Sequence, residues 1–289
     1  MAKKGSKAVA VPETKALAGT QAALPAFMRG RAGQGVETLT SQDVEVPRLQ
    51  LLQALSPQVQ ESDFKQGEFF HTVAEESLGK EISLSIVYVN KTYILWRPRD
   101  AGGGILARSM DGIHWSPPDQ EFTVKINKRD VTWRTAKTVA ASRLAEWGTE
   151  DPSDASSPPA ATVMYNLVVV IPEFPQYSPC VVTLQRSAVK VARKLMGKLK
   201  LSQAPVYGLK YIMSSVRDSS PQGEFWNFKF QSDGLVEDEK AFELYESIYT
   251  RFRDEGLRIR DVEGLQLDPT PNDKVVVDEK QAKKYKGKI

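Results

Sequence analysis

The sequence predicts an α+β protein made mainly of antiparallel strands, with two helices. Several segments alternate apolar and polar residues with period two, which is typical of strands that have two unlike faces. Residues 187–201 and 238–252 instead repeat their apolar side chains at helical spacing. Turn-forming residues such as Asn127 and Asp130 separate neighbouring strand segments, as expected for antiparallel hairpins.

Length and composition indicate one main domain between two tails. The chain has 289 residues, of which 41% are hydrophobic and 26% charged, with a formal net charge of +3. We predict a disordered tail over residues 1–44, a single α+β domain over residues 45–256, and a polar tail with a basic end over residues 257–289. Within the domain, residues 149–161 have the composition of a loop excursion. Because the net charge is mild, binding to a polyanion would depend on local clusters of cations.

The first half of the domain predicts hairpins. Residues 82–96 alternate as two strands, with a turn at Asn90 and Lys91 between them. Residues 122–135 predict another hairpin, and residues 138–147 predict a short helix.

Two further strands and one ambiguous segment complete the sheet. Residues 46–59 are rich in leucine, but so short an apolar run does not distinguish strand from helix. Residues 165–174 form a nearly continuous apolar run, the pattern of a strand that is buried on both faces. Residues 180–185 predict its partner.

The two helices differ in what they expose. The first is predicted to begin after Ser187 as its N-cap and to bury one apolar stripe, formed by Ala188, Ala192, Leu195, Met196 and Leu199. Its opposite face carries Lys190, Arg193, Lys194 and Lys198, which either contact a phosphate backbone or are simply solvated. The second helix begins at Asp238 and ends at Gly256, and its aromatic stripe is expected to pack against the sheet.

A hairpin with aromatic residues on both faces occupies residues 205–234. In its first strand, Tyr207 and Tyr211 face one way and Lys210 the other; residues 217–223, beginning at Arg217, are predicted to form the turn. In its second strand one face carries Trp226, Phe228 and Phe230, and the other carries Phe225, Asn227 and Lys229. Such rings either pack in a core or stack on exposed bases, and the sequence leaves both readings open.

Few residues are suited to catalysis or metal binding. The chain has one cysteine, Cys180, and two histidines, His71 and His114. We therefore predict no disulfide, no metal site and no cofactor, and the sequence contains no GxSxG, HExxH or CxxC motif. No apolar run is long enough to span a membrane and no secretory signal opens the chain, so we expect a cytoplasmic protein. We do not expect an enzyme, and a metal-dependent nuclease is the minor alternative.

The order of strand pairs, basic helix, aromatic hairpin GEFWNFKF and closing helix resembles single-stranded-DNA-binding proteins from the replication modules of tailed phages. The stretches VPRLQLLQALSPQV, YILWRPRDAGGG and DGIHW support this resemblance, which covers residues 46–253. It implies an elaborated OB-like barrel, a location in the host cytoplasm, and sequence-tolerant binding of single-stranded DNA in replication or recombination. Phage replication proteins and a second copy of the chain are further partners it leaves open. Such proteins commonly end in an acidic tail, whereas this chain ends in lysines, so recruitment of partners through the C-terminus is not implied.

The sequence therefore offers a set of candidate nucleic-acid contacts. The candidate stacking residues are Trp96, Tyr207, Tyr211, Phe225, Trp226 and Phe228. If Trp226 and Phe228 are core residues, Phe225 becomes the stacking ring of its strand. The candidate phosphate contacts are Arg97, Arg99, Lys210, Arg217 and Lys229, with Lys190, Arg193, Lys194 and Lys198 of the first helix around them. The rival hypothesis is a phage structural or host-interaction protein whose aromatic surface binds another protein.

Overall fold

The computed structural model describes residue 35 and residues 47–99, 102–220 and 223–256. The predicted tails, apart from residue 35, lie outside the described residues. The strands are β1 (Leu49–Leu51), β2 (Phe69–His71), β3 (Glu76–Ser77), β4 (Glu81–Trp96), β5 (Ile105–Ser109), β6 (Glu121–Ile126), β7 (Arg129–Arg134), β8 (Ala161–Val170), β9 (Cys180–Gln185), β10 (Leu209–Ser220) and β11 (Gly223–Leu235). The α-helices are α1 (Pro57–Glu61), α2 (Val139–Ser142), α3 (Val189–Leu201) and α4 (Glu239–Glu255).

Antiparallel pairing dominates, which confirms the predicted α+β class. The six-stranded sheet has the order β11-β10-β4-β8-β9, with β5 paired to the far end of β4. Strands β1, β2 and β3 form a small separate sheet, and β6 pairs with β7. Within the described residues the strand order is an open path and no closed barrel is found, so the OB-like barrel stays a prediction.

One short segment nevertheless touches both edges of the six-stranded sheet. At the β9 edge, the Val181 N–H donates to the Pro47 carbonyl at 2.8 Å. At the β11 edge, the Gln53 side chain donates to the Trp226 carbonyl at 2.9 Å and accepts from the Trp226 N–H at 2.8 Å. The segment therefore joins the β9 edge by a parallel backbone bridge between Arg48 and Val181 and the β11 edge by one side-chain amide. Residues 46–59, for which the sequence did not distinguish strand from helix, contain both β1 (Leu49–Leu51) and the start of α1 (Pro57–Glu61).

The predicted turn at Asn90 and Lys91 is wrong, because β4 runs through both residues as one 16-residue strand. Asn90 pairs with Asn166, and Lys91 with Tyr165, in a long ladder with β8. The Asn90 side chain also donates to the Met110 carbonyl at 3.1 Å. These long-range partners outweigh the turn preference of the Asn-Lys pair, which is a weak local signal.

The hairpin of β6 and β7 and the aromatic hairpin are both confirmed. Asn127 and Lys128 join β6 to β7 with positive φ angles of 50° and 65°, the geometry of a tight hairpin turn. In the aromatic hairpin β10 and β11 pair along their length. Residues 217–220, predicted as loop, are strand, because each pairs with a residue between 223 and 226.

Both long helices are confirmed, with one corrected boundary. Ser187 is not the N-cap of α3, because it lies in a 3-10 turn and Ala188 occupies the capping position. The Asp238 carboxylate caps α4 by accepting from the Lys240 N–H at 3.1 Å, as predicted. The predicted short helix is reduced to α2, because Arg143 adopts a left-handed conformation with φ of 59°.

Three apolar clusters hold these elements together. The largest lies between the inner face of the six-stranded sheet, β1, β2 and α3. A second joins β5, the β6–β7 hairpin and α2, and a third packs α4 on the outer face of β4, β8 and β9. Cys180 is fully buried in the largest cluster, and this burial raises the pKa of its thiol to about 12. The thiolate is therefore strongly disfavoured.

Candidate nucleic-acid interface

The cross-strand register of β10 and β11 shows which face of the hairpin is packed. Directly opposed residues share a face, and Arg217 opposes Trp226 while Met213 opposes Phe230. Met213 and Phe230 are buried in the largest cluster, and the Phe228 ring stacks 6.0 Å from Phe69. The face that carries Trp226, Phe228 and Phe230 is therefore the inner face. Of the two readings offered by the sequence, the structure favours the one in which Phe225 is the outward ring.

Trp226 is half-buried, and its indole is covered by a glycine. A Cβ atom built on Gly67 would lie 2.6 Å from Cδ2 of the Trp226 ring and 2.7 Å from Cε2 and Cε3. An atom equally close to a ring-fusion carbon and its neighbours lies over the face of the ring. Gly67 therefore takes the place against this face that a base would need for stacking.

The outer face of the hairpin is partly open. Phe225, Ile212 and Val216 are half-buried, and none of them belongs to the three apolar clusters found among the described residues. Lys229 is exposed on the same face and opposes Ser214. This face continues onto β4, where Ser214, Ile212 and Lys210 oppose Glu81, Ser83 and Ser85 respectively. Asp218 is exposed on this face and Asn227 is buried in it. We call the set formed by Lys210, Ile212, Ser214, Val216, Asp218, Phe225, Asn227 and Lys229 the outer face.

The remaining predicted rings lie in packing contacts. Tyr211 is 2% exposed in the largest cluster, so its ring is not available to a base. Tyr207 packs on α4, with its ring 5.1 Å from Phe242 and 5.2 Å from Tyr249, and its hydroxyl donates to Glu246 at 2.9 Å. Trp96 is half-buried against the cluster beneath α4.

Arg97 and Arg99 are not brought to the outer face. Both are exposed and follow the end of β4 that pairs with β5, whereas β10 pairs with the opposite end of β4. At about 3.3 Å per residue, the stretch of β4 from Ser85 to Trp96 spans up to about 36 Å. These arginines therefore lie beyond the end of β4 that is opposite to its pairing with β10.

A basic helix borders the hairpin. The 13-residue α3 contains Lys190, Arg193, Lys194, Lys198 and Lys200 and no acidic residue, and it contacts β11. Its buried side is formed by Ala192 and Leu195, as the sequence predicted, and all five cations are exposed. Among the described residues we find no ion pair from any of the five.

Asp218 links this helix to the outer face. It opposes Phe225 across the hairpin and accepts from the Asn227 side chain at 3.0 Å and from the Ser219 N–H at 2.9 Å. These hydrogen bonds lower the pKa of the Asp218 carboxyl, and the positive charge of Lys190 lowers it further. Lys190 in the first turn of α3 thus acts on the carboxylate that opposes Phe225, while the buried side of α3 packs in the largest cluster.

The sequence pattern did not single out several residues of this region. Ile212 and Val216 were visible only as alternating strand residues, and Lys80, Gly67 and Gln53 gave no signal that connects them with the hairpin. Among the described residues no group of three or more potential ligands is placed to hold a metal ion. None of the described helices has both the length and the apolar character needed to cross a bilayer.

The fold and this surface define an α+β protein. One short segment joins the two edges of its antiparallel sheet, the outer face of the sheet carries both apolar and cationic residues, and a basic helix lies beside it. The model of the Pam3 phage gp34-like protein family matches residues 17–258, most of the chain. The protein therefore belongs to this family, and this makes it a bacteriophage-type protein. No curated protein and no solved structure matches the chain. The family description names no activity, and the outer face is therefore the basis for inferring the function.

Proposed function

We propose that this protein binds single-stranded DNA during phage replication or recombination, with the outer face as the binding surface. The observation that carries the proposal is the position of Phe225, a half-buried ring that shares a sheet face with Lys229 and Lys210 and belongs to none of the described apolar clusters. Exposed rings flanked by cations are the combination that single-strand-binding surfaces use. In this proposal the bridged sheet serves as the OB-like barrel.

Each part of the outer face has a separate task. Phe225 stacks on a base, a contact that contributes about 1–3 kcal/mol. Val216, diagonally across the hairpin from Phe225, offers apolar area beside it, and Ile212 offers apolar area further along the face. Lys229 and Lys210 attract the phosphates. The cations of α3 extend this attraction from the Phe225 end of the face. Because every base has a flat face, binding is tolerant of sequence.

The same arrangement disfavours duplex DNA. Bases in a duplex are already stacked on one another, and only their edges are presented in the grooves. No base of a duplex would then be free to stack on Phe225, and the duplex would bind only through its phosphates. Single strands are therefore the preferred ligand.

We expect a fluorescently labelled oligo-dT of about 30 nucleotides to bind this protein tightly, and more weakly as salt is raised. Fluorescence anisotropy at two salt concentrations measures this, with an unlabelled duplex of the same length as competitor. Displacement by single strands but not by duplex supports the proposal. Absence of binding at low salt, or equal displacement by duplex, would contradict it.

A protein partner is the alternative occupant, and one observation favours it. Val216 lies diagonally across the hairpin from Phe225 on the same face, and aromatic residues are also enriched in protein interfaces. A phage structural or host-interaction role predicts no salt-sensitive binding to oligo-dT and capture of a phage or host protein through the same face. A nuclease would instead degrade the labelled DNA in a metal-dependent manner.

A further inference from the structure

We infer that a phosphate-binding subsite lies on the inner side of the hairpin, near its free end, and is formed by Lys80 and Arg217 on the ring of Trp226. This inference rests on the proposed function and extends it to a residue, Lys80, outside the outer face. The ligand is a backbone phosphate of the single strand whose base stacks on Phe225.

Two cations share one indole. The Lys80 Nζ atom lies 4.3 Å from the centroid of the Trp226 ring, and the Arg217 Cζ atom lies 5.4 Å from it. The two positive groups are therefore within about 10 Å of each other. Like charges this close repel, and an anion between them removes the repulsion. A phosphate suits the pair, because the guanidinium offers planar paired donors and the ammonium a compact charge.

The carboxylates nearby do not satisfy this pair. Arg217 Nη1 lies 3.8 Å from Glu224 Oε2, and both side chains are mostly exposed, so this ion pair contributes little. Lys80 is exposed, and among the described residues no ion pair with a carboxylate is found for it. The positive charge is therefore available to a ligand.

The subsite is held in place before a ligand arrives. The Ser215 N–H donates to the Lys80 carbonyl at 2.9 Å, which fixes the backbone of Lys80 beside the hairpin. The two hydrogen bonds from Gln53 and the close contact with Gly67 fix Trp226. Less conformational freedom is then lost on binding, which favours affinity.

The position of the subsite predicts the path of the DNA. Arg217 shares the inner face with Trp226, while Phe225 and Asp218 share the outer face one residue along each strand. A strand that stacks on Phe225 therefore reaches Lys80 and Arg217 by passing the free end of the hairpin.

The test compares Lys80→Gln with Lys125→Gln, a matched loss of one exposed lysine on β6. We expect Lys80→Gln to weaken oligo-dT binding about three- to tenfold and to reduce the slope of log affinity against log salt by about 0.7. Lys125→Gln removes one distant charge and should leave both the affinity and the salt slope almost unchanged. Lys80→Arg keeps the charge and should restore binding. Arg217→Gln is the second variant, with the same expected loss, and thermal melting of each protein shows that it is folded.

The outcomes separate the two proposals. If wild-type protein binds oligo-dT and both Lys80→Gln and Arg217→Gln match Lys125→Gln, the subsite is overturned and the proposed function stands. If wild-type protein does not bind, both are overturned. A loss of affinity in Lys80→Gln that Lys80→Arg does not restore, together with an unchanged Arg217→Gln, also overturns the subsite.

Discussion

Replacing Gly67 by alanine is expected to lower the free energy of unfolding by about 2–5 kcal/mol. Gly67 has a φ of +84°, which costs an L-residue about 1–2 kcal/mol, and its added Cβ would lie 2.6 Å from the Trp226 ring. Forcing an extra methyl into a packed contact costs a further 1–3 kcal/mol, roughly, because the indole has to move. Urea denaturation followed by circular dichroism measures the loss.

Gly79→Ala is the matched control for this substitution. Gly79 has a nearly identical φ of +82°, but nothing lies within 4 Å of the Cβ that alanine would add. Its loss should therefore be limited to the backbone cost of about 1–2 kcal/mol. Equal losses in the two variants would show that the contact between Gly67 and Trp226 does not stabilise the hairpin.

Replacing Phe225 by alanine is expected to weaken oligo-dT binding by about 5- to 150-fold, the equivalent of one lost stacking contact of about 1–3 kcal/mol. The loss of stability should be smaller than for a core ring, since Phe225 is half-buried and belongs to none of the described clusters. Anisotropy titrations and urea denaturation of the same preparation measure the two quantities separately.

Phe228→Ala, three residues along the same strand, should give the opposite pattern. The Phe228 ring packs against Phe69 and Phe230 at centroid distances of 6.0 and 6.5 Å. Its removal should therefore lower the free energy of unfolding by about 3–5 kcal/mol. The affinity of the folded fraction for oligo-dT should be unchanged. If Phe228→Ala weakens binding and Phe225→Ala does not, the assignment of the outer face as the binding surface is wrong.

The dipeptide Asn-Lys shows how far local sequence predicts this fold. At residues 127 and 128 it makes the predicted turn, because both residues adopt positive φ and the flanking segments pair only with each other. At residues 90 and 91 the same dipeptide lies inside β4, and both residues pair with β8. A ladder between residues some 75 positions apart is not visible in a local pattern, whereas α3 and α4 have helical periodicity and β8 has a nearly continuous apolar run.

The candidate site was predicted in part for a similar reason. Period-two alternation separated the two faces of the aromatic hairpin, but rings on both faces gave no local basis for choosing the packed one. The packed face is determined by contacts with Phe69 and Gly67, which lie more than 150 positions earlier in the chain. Phe69 contacts Phe228, and Gly67 contacts Trp226. Lys80 was missed because a single lysine before a strand carries no pattern.

The most direct test of the proposed surface is lysine footprinting by limited acylation and mass spectrometry, with and without saturating oligo-dT. The proposal predicts that DNA lowers the reactivity of Lys229 on the outer face and of Lys194 on α3, both of which are exposed in the free protein. Lys125 and Lys128, exposed on the β6–β7 hairpin, should react equally with and without DNA. Protection of the β6–β7 lysines with no change at Lys229 would contradict the account.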